Sequence, residues 1–255
     1  MARLEARALT LRIGARTLAR DLNINFAAGE NWAILGANGS GKTTLLMTLA
    51  GLRAPESGAV LLDGQALNAV PRRQRAQILG ILFQDSASAF PCTIHELVLT
   101  GRHPHLGRWQ EATADDLTTV EAALAATGLT EFSNRQMATL SGGEQRRAAF
   151  ATLLAQDPPL CLLDEPANHL DPHHQLTLLS LAAARARRPH HLNLMVLHDI
   201  NLAARFCTHA LLLRRDGAHA HGTVQDMLTP ANLEAVYGCA MCELTDDHRK
   251  YFFPA

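Results

Sequence analysis

Residues 36 to 43 read Gly-Ala-Asn-Gly-Ser-Gly-Lys-Thr and meet the pattern G-x-x-x-x-G-K-[ST] at every fixed position. A stretch of this kind cradles phosphate. Gly36, Gly39 and Gly41 let the backbone curl so that its N–H groups turn inward. A helix N-terminus directly after the loop adds positive partial charge. Lys42 is expected to reach the β- and γ-phosphates and the Thr43 hydroxyl to help hold Mg²⁺, with Asn38, Ser40 and Thr44 completing the nucleotide contacts. The context fits. Trp32-Ala33-Ile34-Leu35 reads as a buried strand before the loop, and Lys42 to Ala50 as a helix that stops at Gly51. Motif and context together predict binding of a nucleoside triphosphate and leave open what its energy drives.

A second set of residues narrows the chemistry. Leu140-Ser141-Gly142-Gly143-Glu144 opens a helix, with Ser141 and Glu144 spaced as a capping box. Two glycines in a first helical turn cost about 1 kcal/mol each relative to Ala. Gly142 and Gly143 make sense if a ligand approaches the backbone closely, so that the open amides and the Ser141 hydroxyl contact an anion. Leu160-Cys161-Leu162-Leu163 is an apolar strand running into Asp164 and Glu165. Strand alternation should point these two carboxylates different ways. Asp164 fits a Mg²⁺-coordinating acid, and Glu165 a group that orients or deprotonates the attacking water.

These residues need a scaffold. Alternation at Leu9, Leu11 and Ile13, the Trp32 run, and Ala59 to Leu62 before the turn Asp63-Gly64 make the first ~85 residues β-rich. Ile94 to Gln156 is rich in Ala and Leu with helical spacing, which suggests a helical insertion. Strand signals return at Leu160 to Leu163, Leu192 to Leu197 and Ala210 to Leu213. Thr229 is placed to cap a helix that has Pro230 at its first position and runs to Tyr237. Strands alternating with helices imply an α/β fold with a largely parallel, two-sided sheet.

Bulk properties remove several classes. The chain has 255 residues, 47% of them hydrophobic, enough for one large domain or a core with a subdomain. A formal net charge of -1 gives no global field for nucleic acid or anionic lipid. No apolar run approaches ~18 residues, so no membrane span is expected. The stretch from Met1 to Ile13 has arginines and alternation in place of an apolar signal core, so no signal peptide is expected either. Five cysteines, an odd number, argue against a disulfide framework, and Cys239-x-x-Cys242 lacks a second ligand pair. Thirteen histidines show no paired ligand spacing and read mostly as surface residues.

Taken in order, the motifs resemble those of the nucleotide-binding subunits of ATP-binding cassette (ABC) transporters, over nearly the whole chain. Gly36 to Thr43 looks like the Walker A loop, Gln84 like the Q-loop glutamine, and Leu140 to Glu144 like the signature motif. Leu160 to Glu165 looks like the Walker B strand with the catalytic glutamate. Asn168-His169-Leu170-Asp171 looks like the D-loop, and His198 like the switch histidine. The resemblance implies a P-loop NTPase (RecA-like) core with an N-terminal antiparallel β portion and an α-helical insertion. Its expected divisions are a core over 1–84 and 152–225, a helical subdomain over 85–151, and a C-terminal helical tail over 226–255 packed on the core. It implies ATP and Mg²⁺ as cofactors, with Glu165, His198 and Gln84 catalytic and Thr43, Gln84 and Asp164 around the metal. It implies a head-to-tail pair of chains in which Ser141, Gly142, Gly143 and Asp171 of one copy meet the ATP held by the other. One departure stands out. The family stacks adenine on an N-terminal aromatic, and Leu11-Arg12-Ile13-Gly14 has none. Ile13 packing, or stacking by Arg12 or Arg16, would have to substitute.

The stretches Thr100 to His105, His198 to Ala203 and Gly222 to Gly238 resemble the subfamily that serves iron–siderophore, haem and cobalamin uptake. That resemblance implies an ATPase subunit of a bacterial importer, with a slight lean to cobalamin. Its partners would be a separate integral membrane permease, received in a groove of the helical subdomain, and a periplasmic-type substrate-binding protein. It would sit on the cytoplasmic face of the inner membrane. The alternative is a soluble ABC ATPase acting on DNA or ribosomes. Against it stand a single cradle, a short insert and no basic surplus.

Overall fold

The computed structural model describes residues 3–84, 91–107, 109–247 and 249–255. The helical insert expected to begin at Asp85 therefore has its first six residues, 85–90, outside the described set.

Two sheets carry the molecule. β1 (Leu4–Ile13), β2 (Arg16–Phe26), β4 (Ser57–Leu62) and β5 (Gln65–Ala66) form an antiparallel sheet in the order β2-β1-β4-β5. β3 (Asn31–Gly36), β6 (Leu79–Leu82), β7 (Leu160–Asp164), β8 (Leu192–Val196), β9 (His209–Leu213) and β10 (His219–Thr223) form the second, in the order β10-β9-β3-β8-β7-β6. Its strands are parallel except β10, which returns antiparallel on β9. β3, β7 and β8 are buried at every position, as expected of central strands covered on both faces.

The helices are α1 (Lys42–Leu49), α2 (Arg72–Ile78), α3 (Ile94–Thr100), α4 (Ala114–Ala126), α5 (Gly142–Gln156), α6 (Pro172–Ala186), α7 (Ile200–Phe206), α8 (Val224–Met227) and α9 (Pro230–Tyr237). α3, α4 and α5 form the helical insert, around a small core that includes Ile94, Val98, Val120, Leu124 and Ala148. All three start with capping boxes, Thr93/Glu96, Thr113/Asp116 and Ser141/Glu144. α5 also puts Phe150 and Leu153 into the core of the main sheet, so it belongs to both packing units.

Three features depart from the sequence reading. β2 lies outside the strands expected from the sequence, although Leu22, Ile24 and Phe26 alternate; left-handed backbone at Asp21 puts them out of step with Leu18 and Ala19. The expected helical tail over 226–255 is helical at Pro230–Tyr237 and then becomes a hairpin, β11 (Met241–Asp246) with β12 (Arg249–Pro254). Its physical reason is period two: Phe252 is buried while Tyr251 and Phe253 are exposed. Glu165 falls outside β7, so strand alternation does not orient it. Its φ of 49° is left-handed, and this turn aims its side chain.

Candidate functional site

The cradle forms where β3 meets α1. Lys42 is the first residue of α1, and Gly41 before it has φ 99°. A Cβ at Gly41 would lie 2.8 Å from Leu18 Cβ, so the position excludes side chains by space as well as by backbone. The loop opens onto a cleft of about 610 Å³ lined by Asn38, Gly39, Gly41, Lys42, Thr43 and Thr44. Gln84, Glu165 and His198 line the same cleft, as do the apolar Ile13 and Leu18. Gly36, Ser40 and Asp164 lie buried behind these residues.

Lys42 Nζ donates to the carbonyls of Gly36 at 2.7 Å and Ala37 at 3.3 Å. Burial holds its ammonium below the usual lysine range, against the opposing pull of Glu165 and Asp164. The Thr43 hydroxyl donates to Asp164 Oδ1 at 3.2 Å. Asp164 Oδ2 is buried and has no hydrogen-bond partner among the described residues. Burial raises the Asp164 carboxyl above the ordinary carboxylate range. An orphaned, charge-bearing oxygen beside a hydroxyl, both hard oxygen donors, fits Mg²⁺.

Glu165 is the hub. Its Oε2 accepts from Gln84 Nε2 at 3.1 Å and from Asn168 Nδ2, and its Oε1 meets His198 Nε2 at 2.6 Å. Two segments distant in sequence, with the nearby Asn168, thus converge on one carboxylate. His198 sits two residues past β8, and Asp199 after it caps α7.

Sequence reasoning missed two contributors. Asn168 was read only as the start of a motif, although three residues after Glu165 it is close enough to bridge the turn. Arg146, on the buried face of α5, donates to the carbonyls of Gln84 at 3.1 Å, Glu165 at 2.7 Å and Pro166 at 3.2 Å, and to those of Phe83 and Asp164. One guanidinium therefore ties α5 to the segments that carry Gln84 and Glu165. A charged residue amid Ala148, Phe150 and Leu153 was the available signal.

Ser141, Gly142, Gly143 and Asp171 lie in a different cleft, of about 530 Å³, lined also by Glu144, Arg147, His169 and His174. Among the described residues it shares no lining residue with the first. The Ser141 hydroxyl is held by Glu144, whose carboxyl its backbone and side-chain bonds to Ser141 keep below the ordinary range. An added Cβ at Gly142 would meet nothing within 4 Å, whereas one at Gly143 would lie 3.2 Å from the His169 carbonyl. Of the two glycines, then, Gly142 is open to a ligand and Gly143 has a packing reason as well. Asp171 caps α6, accepting from His174 N at 2.9 Å and meeting His174 Nδ1 at 2.8 Å.

The two candidate stacking arginines are occupied elsewhere, Arg12 with Glu56 at 3.2 Å and Arg16 on the Arg215 carbonyl at 3.2 Å. Ile13, 48% exposed, and Leu18 are left as the apolar wall for a base.

A phosphate cradle on a parallel sheet, with a buried acid bonded to its Thr43 and a carboxylate hub in the same cleft, defines a P-loop nucleoside triphosphatase. The profile of the ABC transporter family matches residues 19–168. The chain is 38% identical over 250 residues to the ferric enterobactin transport ATP-binding protein of Escherichia coli K12, covering 97% of this chain and 91% of that protein. It is 41% identical over 240 residues to a hemin import ATP-binding protein of Pseudomonas entomophila, covering 92% of each. Among solved structures, a chain of an inward-facing ABC transporter assigned to the metal-chelate type superposes with a TM-score of 0.84 at 26% identity, covering 100% of this chain and 98% of that one. This chain belongs to the ABC transporter family, as an ATP-binding subunit, and ATPase activity goes with that membership. Among the described residues no helix is long and apolar enough to cross a membrane.

Proposed function

We propose that this chain is the ATP-hydrolysing subunit of a bacterial importer and energises uptake of an iron chelate, a siderophore complex or haem, through a separate permease. The observation that carries the catalytic part is the Glu165 carboxylate held by Gln84, Asn168 and His198 in the same cleft as Lys42. The similarity to ferric enterobactin and hemin import proteins supports an iron chelate over cobalamin.

In this reading the glycine-rich loop and Lys42 bind the phosphates, and the Lys42 ammonium neutralises charge on the β- and γ-oxygens. Glu165 accepts a proton from water as the water oxygen bonds to the γ-phosphorus and the bond to the bridging oxygen breaks. ADP and inorganic phosphate leave. His198, donating through Nε2, fixes Glu165 Oε1, and Gln84 and Asn168 fix Oε2. Thr43, Asp164 and Gln84 are the residues that would hold Mg²⁺, which when bound supplies charge neutralisation at the phosphates.

The separate clefts support a head-to-tail dimer, in which Ser141 and Gly142 of one copy close over ATP in the other and Asp171 lies beside that contact. The core then comprises 1–84 and 152–225, with 85–151 as the subdomain that receives the permease and 226–255 as a tail on the core. The subunit would sit on the cytoplasmic face of the inner membrane, held by the permease and working with a periplasmic-type binding protein.

The test is recovery of the tagged chain from native membranes, with mass spectrometry of what accompanies it. A multi-span permease together with a binding protein that takes up a ferric chelate is the expected result. Recovery with ribosomes or DNA and no permease would overturn the importer reading.

A further inference from the structure

Away from both clefts, α6, α7, α8 and β12 enclose a cavity of about 790 Å³, larger than the nucleotide cleft. Its floor is apolar: Ala183, Leu228 and Phe252 are buried there. Its rim is cationic. Arg187 comes from the end of α6, Arg205 from α7, and Arg249 and Lys250 from β12. Among the described residues no Asp or Glu lines it. The whole chain has a formal net charge of -1, so four cations around one cavity do not follow from composition.

Structural roles account for only part of this set. Arg187 and Arg205 sit at helix C-termini, where positive charge complements the dipole. That argument does not reach Arg249 and Lys250, which lie on a strand. Lys250 pairs with Glu243 at 2.8 Å, and Arg205 lies over the Phe206 ring at 5.2 Å. Arg187 and Arg249 have no side-chain hydrogen bond or ion pair among the described residues. β12 is fixed in place by a two-point clamp: Asn201 Nδ2 donates to the Phe252 carbonyl at 3.1 Å, and Phe252 N donates to Asn201 Oδ1 at 2.8 Å. The side chains of Phe206 and Tyr251 add aromatic surface to the lining.

Cations among the lining of an apolar, partly aromatic cavity, in a volume within the range of small-molecule sites, suit an amphipathic anion. We propose that this cavity is a second ligand site, distinct from the ATP cleft, for a phosphate-bearing molecule with an apolar or aromatic body of about nucleotide size. Arg187, Arg205 and Arg249 hold the phosphate, and Phe206 and Tyr251 face the body.

The test separates this site from the cradle. Inorganic pyrophosphate is titrated by ³¹P NMR into the Lys42→Ala chain, whose cradle is disabled. One bound pyrophosphate is expected. Adding Arg205→Glu with Arg249→Glu should weaken it by about tenfold or more, as loss of charge-assisted contacts does. Ala184→Trp, which fills the cavity without touching charge, should do the same. With Lys42 intact, both changes should leave ATP hydrolysis and the thermal midpoint at wild-type values. Co-sedimentation with phosphatidylglycerol but not phosphatidylcholine vesicles, abolished by the same variants, would assign the phosphate to a lipid headgroup. Pyrophosphate binding without vesicle binding would assign it to a soluble molecule. If Lys42→Ala binds neither, or if binding survives both variants, the proposal falls.

Discussion

Glu165 shows how a single backbone angle places the proposed catalytic base. β7 delivers Asp164 behind the cradle, and the left-handed residue after it swings the next carboxylate to Gln84, Asn168 and His198. Such a conformation costs about 1–3 kcal/mol in a non-glycine residue and persists only where its surroundings hold it. Glu165→Gln keeps an acceptor for Asn168 and removes the base. Hydrolysis should fall by ~10²–10⁴ with ATP affinity retained, measured as turnover beside equilibrium nucleotide binding. Asp164 makes a pH prediction. Burial lifts its folded-state pKa, so its ionised form opposes folding above that value, and the cost fades as pH falls through it. Asp164→Asn should therefore raise the nucleotide-free melting midpoint at neutral pH by about 2–4 °C, or on the order of 1 kcal/mol. The gain should shrink in acid, as calorimetry across pH would show. The types and spacing of Lys42, Thr43, Asp164 and Glu165 were legible in the sequence because local motifs encode them. Asn168 was not, because only the turn at Glu165 brings its amide to the carboxylate.

α5 is the element that joins the site to the insert. Its first turn carries Ser141 to Glu144, its middle packs against both cores, and Arg146 grips the carbonyls of Gln84 and Glu165 beside the nucleotide cleft. Arg146→Met would leave those buried carbonyls without their donor. A loss of about 3 kcal/mol or more is expected, lowering the midpoint by roughly 6–12 °C. Turnover should fall further than ATP affinity, because Lys42 and the loop stay in place. Unchanged stability and turnover would remove Arg146 from the account. Regular elements were readable where one periodicity dominates: β3, β7, β8 and α9 match their sequence signals closely. β2 and the terminal hairpin were not. In the first, the left-handed turn at Asp21 cuts the period in two and leaves only Leu22, Ile24 and Phe26 in step; the second declares itself only through Phe252 being buried between exposed neighbours.

At the scale of the molecule, the decisive fact is that the cradle and the Ser141-Gly142 turn open into clefts with no lining residue in common. In the proposed reading each cleft is a half-site, and two chains arranged head to tail would complete both. Neither periodicity nor motif spacing shows this, since it depends on where the insert lies relative to the main sheet. The most direct test is sedimentation of the Glu165→Gln chain with MgATP, alone and with Ser141→Arg added. The account predicts a species of twice the chain mass, with two nucleotides, for Glu165→Gln. It predicts a nucleotide-bound monomer for the double variant, whose cradle is intact and whose turn is blocked. A double variant that still pairs as fully as Glu165→Gln alone would contradict the composite site.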